Sequence, residues 1–521
     1  MTKPSANDIQ QEELQRDSKI KTVEGLADVV SQMQLNGKKV VQCHGVFDLL
    51  HVGHIRHFQQ AKKHGDILIV TITPDRSVNK GPHRPAFPEH LRAEAIAALD
   101  CVNYVAINTW PTAAEVIRRL KPNFYVKGSD YKDPEKDHTG RIVFEEEAIK
   151  SIGGQIVFTD DIVFSASSLI NKHLYVFPEA VGSYLADFSS RHTIDEILSY
   201  LNRVRELKVL IIGEAIIDEY QYCEAIGKSS KEPMLAVKRA FTEQFPGGSL
   251  AVANHVANFC DHVGVVTLLG DRNSYEDYIR EKLDSKVKPT FLYRNDSPTI
   301  VKRRFIESYF FTKLMEVYEI NDGALDPHDD VALCQVLERE IPKYDVVVVM
   351  DFGHGMFTDK VVQVIANCSA FLAVNVQTNA GNIGYQSVLK YPRANYVCLT
   401  ENEMRMEARD RRGDLKEMIR NISDKFGYER VTVTRGQNGC MCYRKGEGFV
   451  EVPAFAGKVI DRMGAGDAFL SLTALCVAQN APTEVVGFIG NAVGAEAVAI
   501  VGHRKSIERA PLFKHIESLL K

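Results

Sequence analysis

Two histidines lie three positions apart in a short stretch whose residue types suit phosphate chemistry. The stretch reads Gly45-Val46-Phe47-Asp48-Leu49-Leu50-His51-Val52-Gly53-His54. Imidazole groups can donate hydrogen bonds to phosphate oxygens and to the charge that develops on a departing pyrophosphate. Gly53 lets a ligand approach the backbone closely. The pattern favours a nucleotide site, and a histidine pair that only caps a helix is the structural alternative.

The surroundings of this stretch predict that it forms a strand-to-helix turn. A β-branched run at 39–43 precedes it, and a helical pattern at 55–63 follows it. The N-terminus of a helix offers free N–H groups and the positive end of a dipole, which suit phosphate. Further strands are predicted at 67–72, 102–106, 123–127 and 155–159, with helices at 88–99 and 112–120. This alternation predicts a parallel sheet that binds ligands beyond the C-terminal ends of its strands.

A second group of residues suits phosphoryl transfer. The segment Asp461-Arg462-Met463-Gly464-Ala465-Gly466-Asp467 precedes an apolar helical run. The two glycines leave the N–H groups of the turn available as an anion hole for a transferring phosphoryl group. Asp467 at the helix start is placed to accept a proton from an attacking hydroxyl. An acid in the first turn of a helix is common, however, and by itself would be structural.

Composition narrows the class of protein. The 521 residues suggest two to four domains, and 45% hydrophobic with 25% charged residues is ordinary for a globular protein. A net charge of −5 gives no reason to expect a nucleic acid or a membrane surface as partner. The ten cysteines show no C-x-x-C spacing, and no apolar run reaches the length of a membrane helix. We expect a cytoplasmic protein from these features.

The first stretch resembles the HxGH signature of the cytidylyltransferase-like nucleotidyltransferases. Residues 39–171 are similar to the nucleotidyltransferase half of the bifunctional ADP-heptose synthases, including Arg84-Pro85 and Val126-Lys127-Gly128-Ser129-Asp130-Tyr131. The resemblance implies a Rossmann-like domain in which His51 and His54 stabilise the triphosphate and Lys127 neutralises charge. The nucleotide-binding residues that it implies are Gly45, Phe47, Asp48, Gly53, Thr73, Asp75, Arg92, Ser165, Ser167 and Ser168.

Residues 206–521 resemble the ribokinase/PfkB sugar kinases. Gly213-Glu214-Ala215-Ile216-Ile217-Asp218 matches their first strand, Pro246-Gly247-Gly248 their glycine pair, and residues 433–439 their nucleotide-site strand and turn. The resemblance implies an α/β domain with a small β lid at 233–241 and 298–320, and Asp467 as catalytic base. The implied site residues are Asp218, Gly247, Gly248, Asn254, Lys302 and Arg304 for the sugar, Thr434, Gly436 and Gly439 for the nucleotide, and Gly464, Ala465 and Gly466 for the anion hole.

Several positions depart from the family pattern. Ala251 replaces an asparagine that follows the glycine pair, and Asn254 lies one turn further along. Arg405 stands where the family carries a glutamate that helps organise Mg²⁺, and Asn375-Val376-Gln377 replaces D-P-K. In the usual ADP-heptose synthases, moreover, the kinase comes first. No metal ligand is identified from the sequence.

Together these observations predict a bifunctional sugar-activating enzyme. A kinase that uses ATP and Mg²⁺ would phosphorylate a heptose-like sugar, and a transferase would join a nucleotidyl group from CTP or ATP to the sugar 1-phosphate. The alternative is a transferase whose degenerate kinase domain binds sugar phosphate or forms a dimer; a tRNA synthetase is disfavoured because no K-M-S-K-S-like loop follows. A homodimer is expected because exposed strand edges tend to be covered. The predicted segments are 1–37 (tail and helix), 38–171 (transferase), 172–205 (helical connector) and 206–521 (kinase).

Overall fold

The chain folds into two compact units. The computed structural model describes residues 19–78, 81, 84–132, 141–159 and 177–521. The first unit contains the residues up to Gly182 together with Phe513–Lys521, and the second contains Ser183–Leu512. The predicted phosphate-binding residues Ser165, Ser167 and Ser168 lie outside the described residues. Across the described ranges, no helix has the length and apolar character that a membrane crossing requires.

The first unit is built on a parallel sheet of five strands in the order β3-β2-β1-β4-β5. Val41 of β1 lies opposite Leu68 of β2 on one side and Phe124 of β4 on the other. The strand order reverses beside β1, and ligands of such sheets bind beyond the strand ends at this point. The strands are β1 Val40–Gly45, β2 Ile67–Ile72, β3 Tyr104–Ile107, β4 Phe124–Gly128 and β5 Gln155–Thr159.

Helices cover both faces of this sheet, as the alternating pattern predicts. Val40 and Tyr125 belong to the apolar core on one face, and Val41 and Val126 to the core on the other. Successive strand residues point to opposite faces, so strands buried on both sides are apolar throughout. The helices are α1 Val23–Leu35, α2 Val52–Lys62, α3 Glu89–Ala97, α4 Ala113–Leu120 and α5 Arg141–Ser151.

The second unit contains a nine-stranded sheet in the order β10-β9-β6-β13-β14-β15-β16-β17-β18. The neighbouring strands from β10 to β16 run parallel, while β17 and β18 are antiparallel to the strands beside them. The strands are β6 Lys208–Gly213, β9 His262–Arg272, β10 Val287–Pro298, β13 Val346–Asp351, β14 Phe371–Val376, β15 Tyr396–Thr400, β16 Arg430–Thr434, β17 Cys440–Arg444 and β18 Gly448–Val452.

A separate sheet of four strands forms the predicted lid, in the order β12-β11-β7-β8. Its strands are β7 Ala215–Lys228, β8 Leu235–Gly248, β11 Ile300–Glu307 and β12 Thr312–Glu319. Because β6 ends at Gly213 and β7 begins at Ala215, Asp218 lies in the lid sheet. The segment Gly213–Asp218, which matches the family's first strand, thus spans the end of β6 and the start of β7.

The remaining helices include α14, which is deeply buried in the second unit. Every residue of α14 from Asp467 to Val477 is buried, which fits its uninterrupted apolar sequence. The helices are α6 Glu179–Arg191, α7 Ile194–Arg203, α8 Ser249–Ala257, α9 Glu276–Lys282, α10 Pro327–Glu340, α11 Asp359–Ala366, α12 Glu401–Glu407, α13 Leu415–Phe426, α14 Ala465–Ala478, α15 Thr483–Ala497 and α16 Arg509–Leu520.

Candidate active sites

The two predicted histidines of the first unit lie together at the start of α2. His51 is the N-cap residue, and its Nδ1 accepts a hydrogen bond of 3.1 Å from the backbone N–H of Gly53. The rings of His51 and His54 stack with their centroids 3.8 Å apart. Both imidazoles therefore lie at the end of β1, next to the positive end of the helix dipole.

Phe47 and Gly45 shape this histidine pair. Phe47 has a φ of 48°, and its ring lies edge-on to His54 at a centroid distance of 5.2 Å. A Cβ atom added to Gly45 would come within 3.0 Å of the Phe47 ring, tighter than ordinary contact. The aromatic ring thus folds back over Gly45 and leaves little space for a side chain there.

Arg92 holds three loops of the transferase site together. Its side chain is 1% exposed and lies 2.6 Å from Asp75. It also donates hydrogen bonds to the carbonyl oxygens of Val46, Phe87 and Thr73. Four of its five N–H groups are directed at protein oxygens in this way. The geometry gives Arg92 a positioning role, and its contact with the nucleotide stays a prediction.

Asp48 and Asp75 also accept hydrogen bonds from backbone N–H groups. Asp48 is buried, accepts a hydrogen bond of 2.6 Å from the N–H of Ala86 and lies 3.4 Å from Arg84. Asp75 accepts from the N–H of Glu89, whose carboxylate accepts in turn from the N–H of Asp75. These carboxylates fix the loops around the histidine pair.

Lys127, at the end of β4, is 2.8 Å from Glu145 of α5. Its ammonium also lies 4.6 Å from the centre of the Tyr131 ring. Thr73 contacts Nε2 of His44 at 3.2 Å. Sequence reasoning missed Glu145 and His44. The acidic run at 145–147 gave a signal for the first, since a carboxylate on a helix beside a buried lysine forms an ion pair.

A cleft of about 970 Å³ in the second unit collects most of the predicted kinase residues. This volume lies within the range of small-molecule sites. Its lining includes Asp218, Gly248, Lys302, Arg304, Thr434, Gly464, Gly466 and Asp467 from the predicted set, and also Gln377, Arg405 and His503.

Asp467 lies in the first turn of α14, after a turn that needs glycine. Gly464 is the N-cap residue with a φ of 75°, a left-handed conformation that glycine adopts without strain. Burial raises the pKa of the Asp467 carboxyl, whereas the nearby His503 and a hydrogen bond from Gln377 lower it. A carboxylate of raised basicity beside helix N–H groups is suited to general-base chemistry.

The carboxylate of Asp218 lies between Arg304 and Gly247. One of its oxygens accepts a hydrogen bond from Arg304, whose Nε also lies 2.6 Å from Glu316. A Cβ atom on Gly247 would overlap the other oxygen of Asp218. Gly248 has a φ of 59° and starts α8. The glycine pair therefore makes room for the carboxylate and turns the chain into the helix.

Lys302 is a buried cation in this cleft. It is 7% exposed and lies 5.3 Å and 5.6 Å from the ring centres of Tyr318 and Phe352. Among the residues that the structure describes, no carboxylate lies within ion-pair distance of its ammonium. Burial lowers its pKa, and the negative charge of Asp218 opposes that shift. A buried lysine of this kind is suited to an anionic ligand.

Two predicted residues of the second unit have other functions in the fold. The amide of Asn254 donates to the carbonyl of Lys282 at 3.0 Å and accepts from the N–H of Asp284 at 2.9 Å. This argues against its predicted role in sugar binding, because both ends of the amide are used. Gly439 has a φ of 78°, and a Cβ atom there would overlap the carbonyl oxygen of Val452. It therefore shapes the turn between β16 and β17.

Comparison with known families identifies both units. Residues 206–510 match the family described as pfkB family carbohydrate kinase. The chain belongs to this family. Residues 43–172 match the family described as cytidylyltransferase-like. The predicted fold, with a nucleotidyltransferase domain before a sugar kinase domain, is confirmed in this pfkB-family chain.

The curated relatives of this pfkB-family chain match it over one segment. The bifunctional protein HldE of Geobacter metallireducens is 39% identical over 168 residues, which are 31% of this chain and 32% of that protein. HldE of Syntrophotalea carbinolica is 40% identical over 149 residues, 28% of this chain and 29% of that protein. The chain thus spans about a third of the length of these relatives. Such matches give no support to the expectation that the domain order is reversed relative to the ADP-heptose synthases.

Solved structures similar to this pfkB-family chain include phosphofructokinase-2 from Escherichia coli. It is 16% identical with a TM-score of 0.49, over 60% of this chain and 100% of that chain. A ribokinase from Thermotoga maritima is 16% identical with a TM-score of 0.46, over 60% of this chain and 99% of that chain.

Arg405 lines the cleft of this pfkB-family chain and forms an ion pair with a neighbouring carboxylate. Its Nε and Nη2 donate to one oxygen of Glu401 at 2.9 and 2.8 Å, and its Nη1 donates to the carbonyl of Gly413 at 3.0 Å. The neighbouring Glu403 accepts from the N–H groups of Thr378 and Thr400. Arg405 therefore joins α12 to the loop that precedes α13.

Proposed function

We propose that this chain activates a sugar in two steps. The second unit transfers a phosphoryl group from ATP to a heptose-like sugar or sugar phosphate. The first unit then lets the sugar 1-phosphate attack the α-phosphorus of CTP or ATP, which gives an NDP-sugar for surface polysaccharide synthesis and pyrophosphate. The observation that carries the proposal is that one cleft contains Asp467, the glycine turn beside it and Asp218.

In the kinase step, Asp467 accepts the proton of the attacking sugar hydroxyl. The N–H groups of the turn at Gly464–Gly466 bind the transferring phosphoryl group as its charge spreads. Asp218 accepts hydrogen bonds from the sugar, and Lys302 binds an anionic substituent such as a sugar phosphate. These roles follow the side chains that line the cleft.

Mg²⁺ would enter this reaction with the nucleotide. Within the described ranges, no group of three or more His, Cys, Asp or Glu side chains is arranged to hold a metal ion. This fits Mg²⁺, which usually binds through substrate phosphates and one or two carboxylates. Glu403 is a carboxylate that lines the cleft and would join the coordination of the ion. The ion would neutralise charge on the phosphates.

In the transferase step, His51 and His54 stabilise the triphosphate and the departing pyrophosphate. Their stacked arrangement at the start of α2 supports this role. Lys127 would release Glu145 and turn its charge toward the phosphates, as its place at the end of β4 allows. The sugar oxygen attacks directly, so no covalent intermediate is required.

The alternative is a transferase with an inactive kinase domain, and Arg405 is the observation that favours it. The test is a panel of sugar phosphates crossed with CTP, ATP and GTP, in which release of ADP and of pyrophosphate is measured separately. The proposal expects both products with at least one sugar. Pyrophosphate release without sugar-dependent ADP formation would favour the alternative, and absence of both would overturn the proposal.

A homodimer through the lid is also proposed. Phe241 of β8 is 52% exposed and Met315 of β12 is 56% exposed, and both strands are edges of the four-stranded sheet. A second copy would cover these side chains and edges. Light scattering on the intact protein tests this, and a monomer at micromolar concentration would overturn it.

A further inference from the structure

The imidazole of His503 lies between two parts of the kinase cleft. Its Nε2 is 3.6 Å from Oδ2 of Asp218, and its side chain is 7% exposed. A Cβ atom on Gly464 would overlap the same ring. One buried imidazole therefore contacts both the carboxylate proposed to bind the sugar and the turn proposed to bind the phosphoryl group.

The segment that carries His503 is fixed at both ends. The N–H of Gly502 donates to Asp461 at 2.9 Å, and the same carboxylate accepts from the N–H of Met463 at 3.1 Å. Asp461 thus anchors the histidine segment and the phosphate turn together. At the other end, the N–H of Ile507 donates to Nδ1 of His255 at 2.9 Å. Burial lowers the pKa of His255 to about 3, so this nitrogen keeps its lone pair at neutral pH.

Asp218 has a nitrogen-bearing side chain next to each carboxylate oxygen. Arg304 donates to Oδ1, and Nε2 of His503 faces Oδ2. Oδ2 occupies space that a side chain at position 247 would fill, so Gly247 lets the carboxylate lie between Arg304 and His503. The lone pairs that remain are available to sugar hydroxyls in one orientation.

We propose that His503 is a positioning residue of the kinase site, which holds Asp218 against the phosphate turn at Gly464 and so sets the distance between the bound sugar hydroxyl and the transferring phosphoryl group. The inference rests on the proposed kinase function. It goes beyond that function because neither the motifs nor the resemblance pointed to His503. In phosphoryl transfer, positioning supplies a large part of the rate, and a shift of about 1 Å can cost about 100-fold.

His503 also affects the pKa of Asp467, the proposed catalytic base. The groups that act on the Asp467 carboxyl are Gln377 and Lys302, which stabilise its charged form together with His503, and Asp218, which opposes it. Removal of the imidazole takes away one of the groups that lower the pKa of Asp467. The pKa of Asp467 should then rise, and the acid limb of the kinase pH profile should move to higher pH.

The experiment compares His503→Ala and His503→Gln with the wild type in the full-length protein. His503→Ala should raise the KM for the sugar and lower kcat about 100-fold, with the KM for ATP unchanged. The amide of His503→Gln can contact Asp218 from the same side, so the sugar KM should recover, while the acid limb should stay shifted because a neutral amide does not replace the effect of the imidazole on Asp467. His328→Ala is the matched control, since that side chain is 90% exposed.

An unchanged sugar KM and kcat in His503→Ala would overturn the inference. So would equal changes in the KM for the sugar and the KM for ATP together with a lower melting temperature. An acid limb that does not shift in either variant would also overturn it. A wild type that forms no sugar-dependent ADP would overturn the kinase function instead. In that case, calorimetric titration with heptose 7-phosphate tests the proposed role of His503 in sugar binding. His503→Ala should bind it at least tenfold more weakly than the wild type; equal binding, or no binding to either, would overturn the inference.

Discussion

The amide of Gln377 donates a hydrogen bond to Oδ1 of Asp467, which joins the loop after β14 to the first turn of α14. The two residues are far apart in the sequence, and the bond acts on the proposed base directly. Burial raises the pKa of Asp467, and this hydrogen bond to its charged form lowers it. Gln377 therefore helps to keep the carboxylate ionised and oriented.

Gln377→Leu should raise the pKa of Asp467, because the charged form loses its hydrogen bond. A base whose pKa rises is protonated up to a higher pH, so the acid limb of kcat/KM for ADP formation should move toward neutral pH. At pH values well above the new pKa, the rate of ADP formation by Gln377→Leu should fall less below that of the wild type. Gln363→Leu, on the exposed side of α11, is the matched control. An unchanged pH profile in Gln377→Leu would contradict the assigned role of this hydrogen bond.

Asp467→Asn should abolish sugar-dependent ADP formation, since an amide keeps the shape of the side chain but cannot accept the proton at neutral pH. Pyrophosphate release from added sugar 1-phosphate should be unchanged, because Asp467 belongs to the second unit. Both products are measured on the same preparation. ADP formation at the wild-type rate would show that another group is the base.

The histidine turn and the glycine turn could be predicted from the sequence because each is local. A strand, a capping residue and a helix are consecutive around His51, and the left-handed Gly464 directly precedes α14. Chemistry of this kind is specified by residues within about one helical turn of each other. The residue types and spacing were therefore sufficient to predict both turns.

Other roles depend on contacts between distant segments, which no local pattern contains. Arg92 has the residue type of a phosphate ligand, yet its N–H groups meet carbonyl oxygens of three loops. Asn254 lies one turn from the family position, but it faces the loop at 282–284. His503 enters the kinase cleft only because its segment folds back to Asp461. Composition and periodicity do not encode these distances.

His51→Ala should lower kcat for pyrophosphate release about 100- to 1,000-fold, the usual cost of losing one preorganised donor to developing charge. The sugar 1-phosphate should bind nearly as well as before, because the histidine acts on the leaving group. The nearby His64→Ala is the control, since His64 is exposed. Near-normal pyrophosphate release in His51→Ala would remove the histidine pair from the proposed mechanism.

Arg405→Glu tests whether position 405 helps to bind Mg²⁺ or instead stabilises the fold. In the structure Arg405 pairs with Glu401, so a glutamate there would face a like charge one helical turn away. We expect a loss of about 1 kcal/mol in unfolding free energy, from the ion pair and the hydrogen bond to Gly413. The Mg²⁺ concentration for half-maximal ADP formation should not change. The double variant Glu401→Arg with Arg405→Glu should recover the lost stability. A large gain in Mg²⁺ affinity in the single variant Arg405→Glu would instead show that position 405 helps to bind the metal.

The last nine residues of the chain belong to the transferase unit, although the kinase family match ends at residue 510. Phe513 and Ile516 are buried, and a Cβ atom on Gly81 would overlap the ring of His515. Loss of a buried phenylalanine side chain typically costs 3–5 kcal/mol. Phe513→Ala should therefore lower the urea midpoint of the transferase unit by an amount that corresponds to about 3 kcal/mol.

In the same Phe513→Ala variant, pyrophosphate release should decrease at temperatures where the wild type is stable, while ADP formation should remain. Lys521→Ala, at the exposed chain end, is the matched control and should leave both unchanged. By the same reasoning, a fragment of residues 1–175 should be less stable than the transferase unit of the whole chain, because it lacks these nine residues. An unchanged urea midpoint in Phe513→Ala, together with a fragment as stable as the intact unit, would show that the C-terminal residues are not part of the transferase fold.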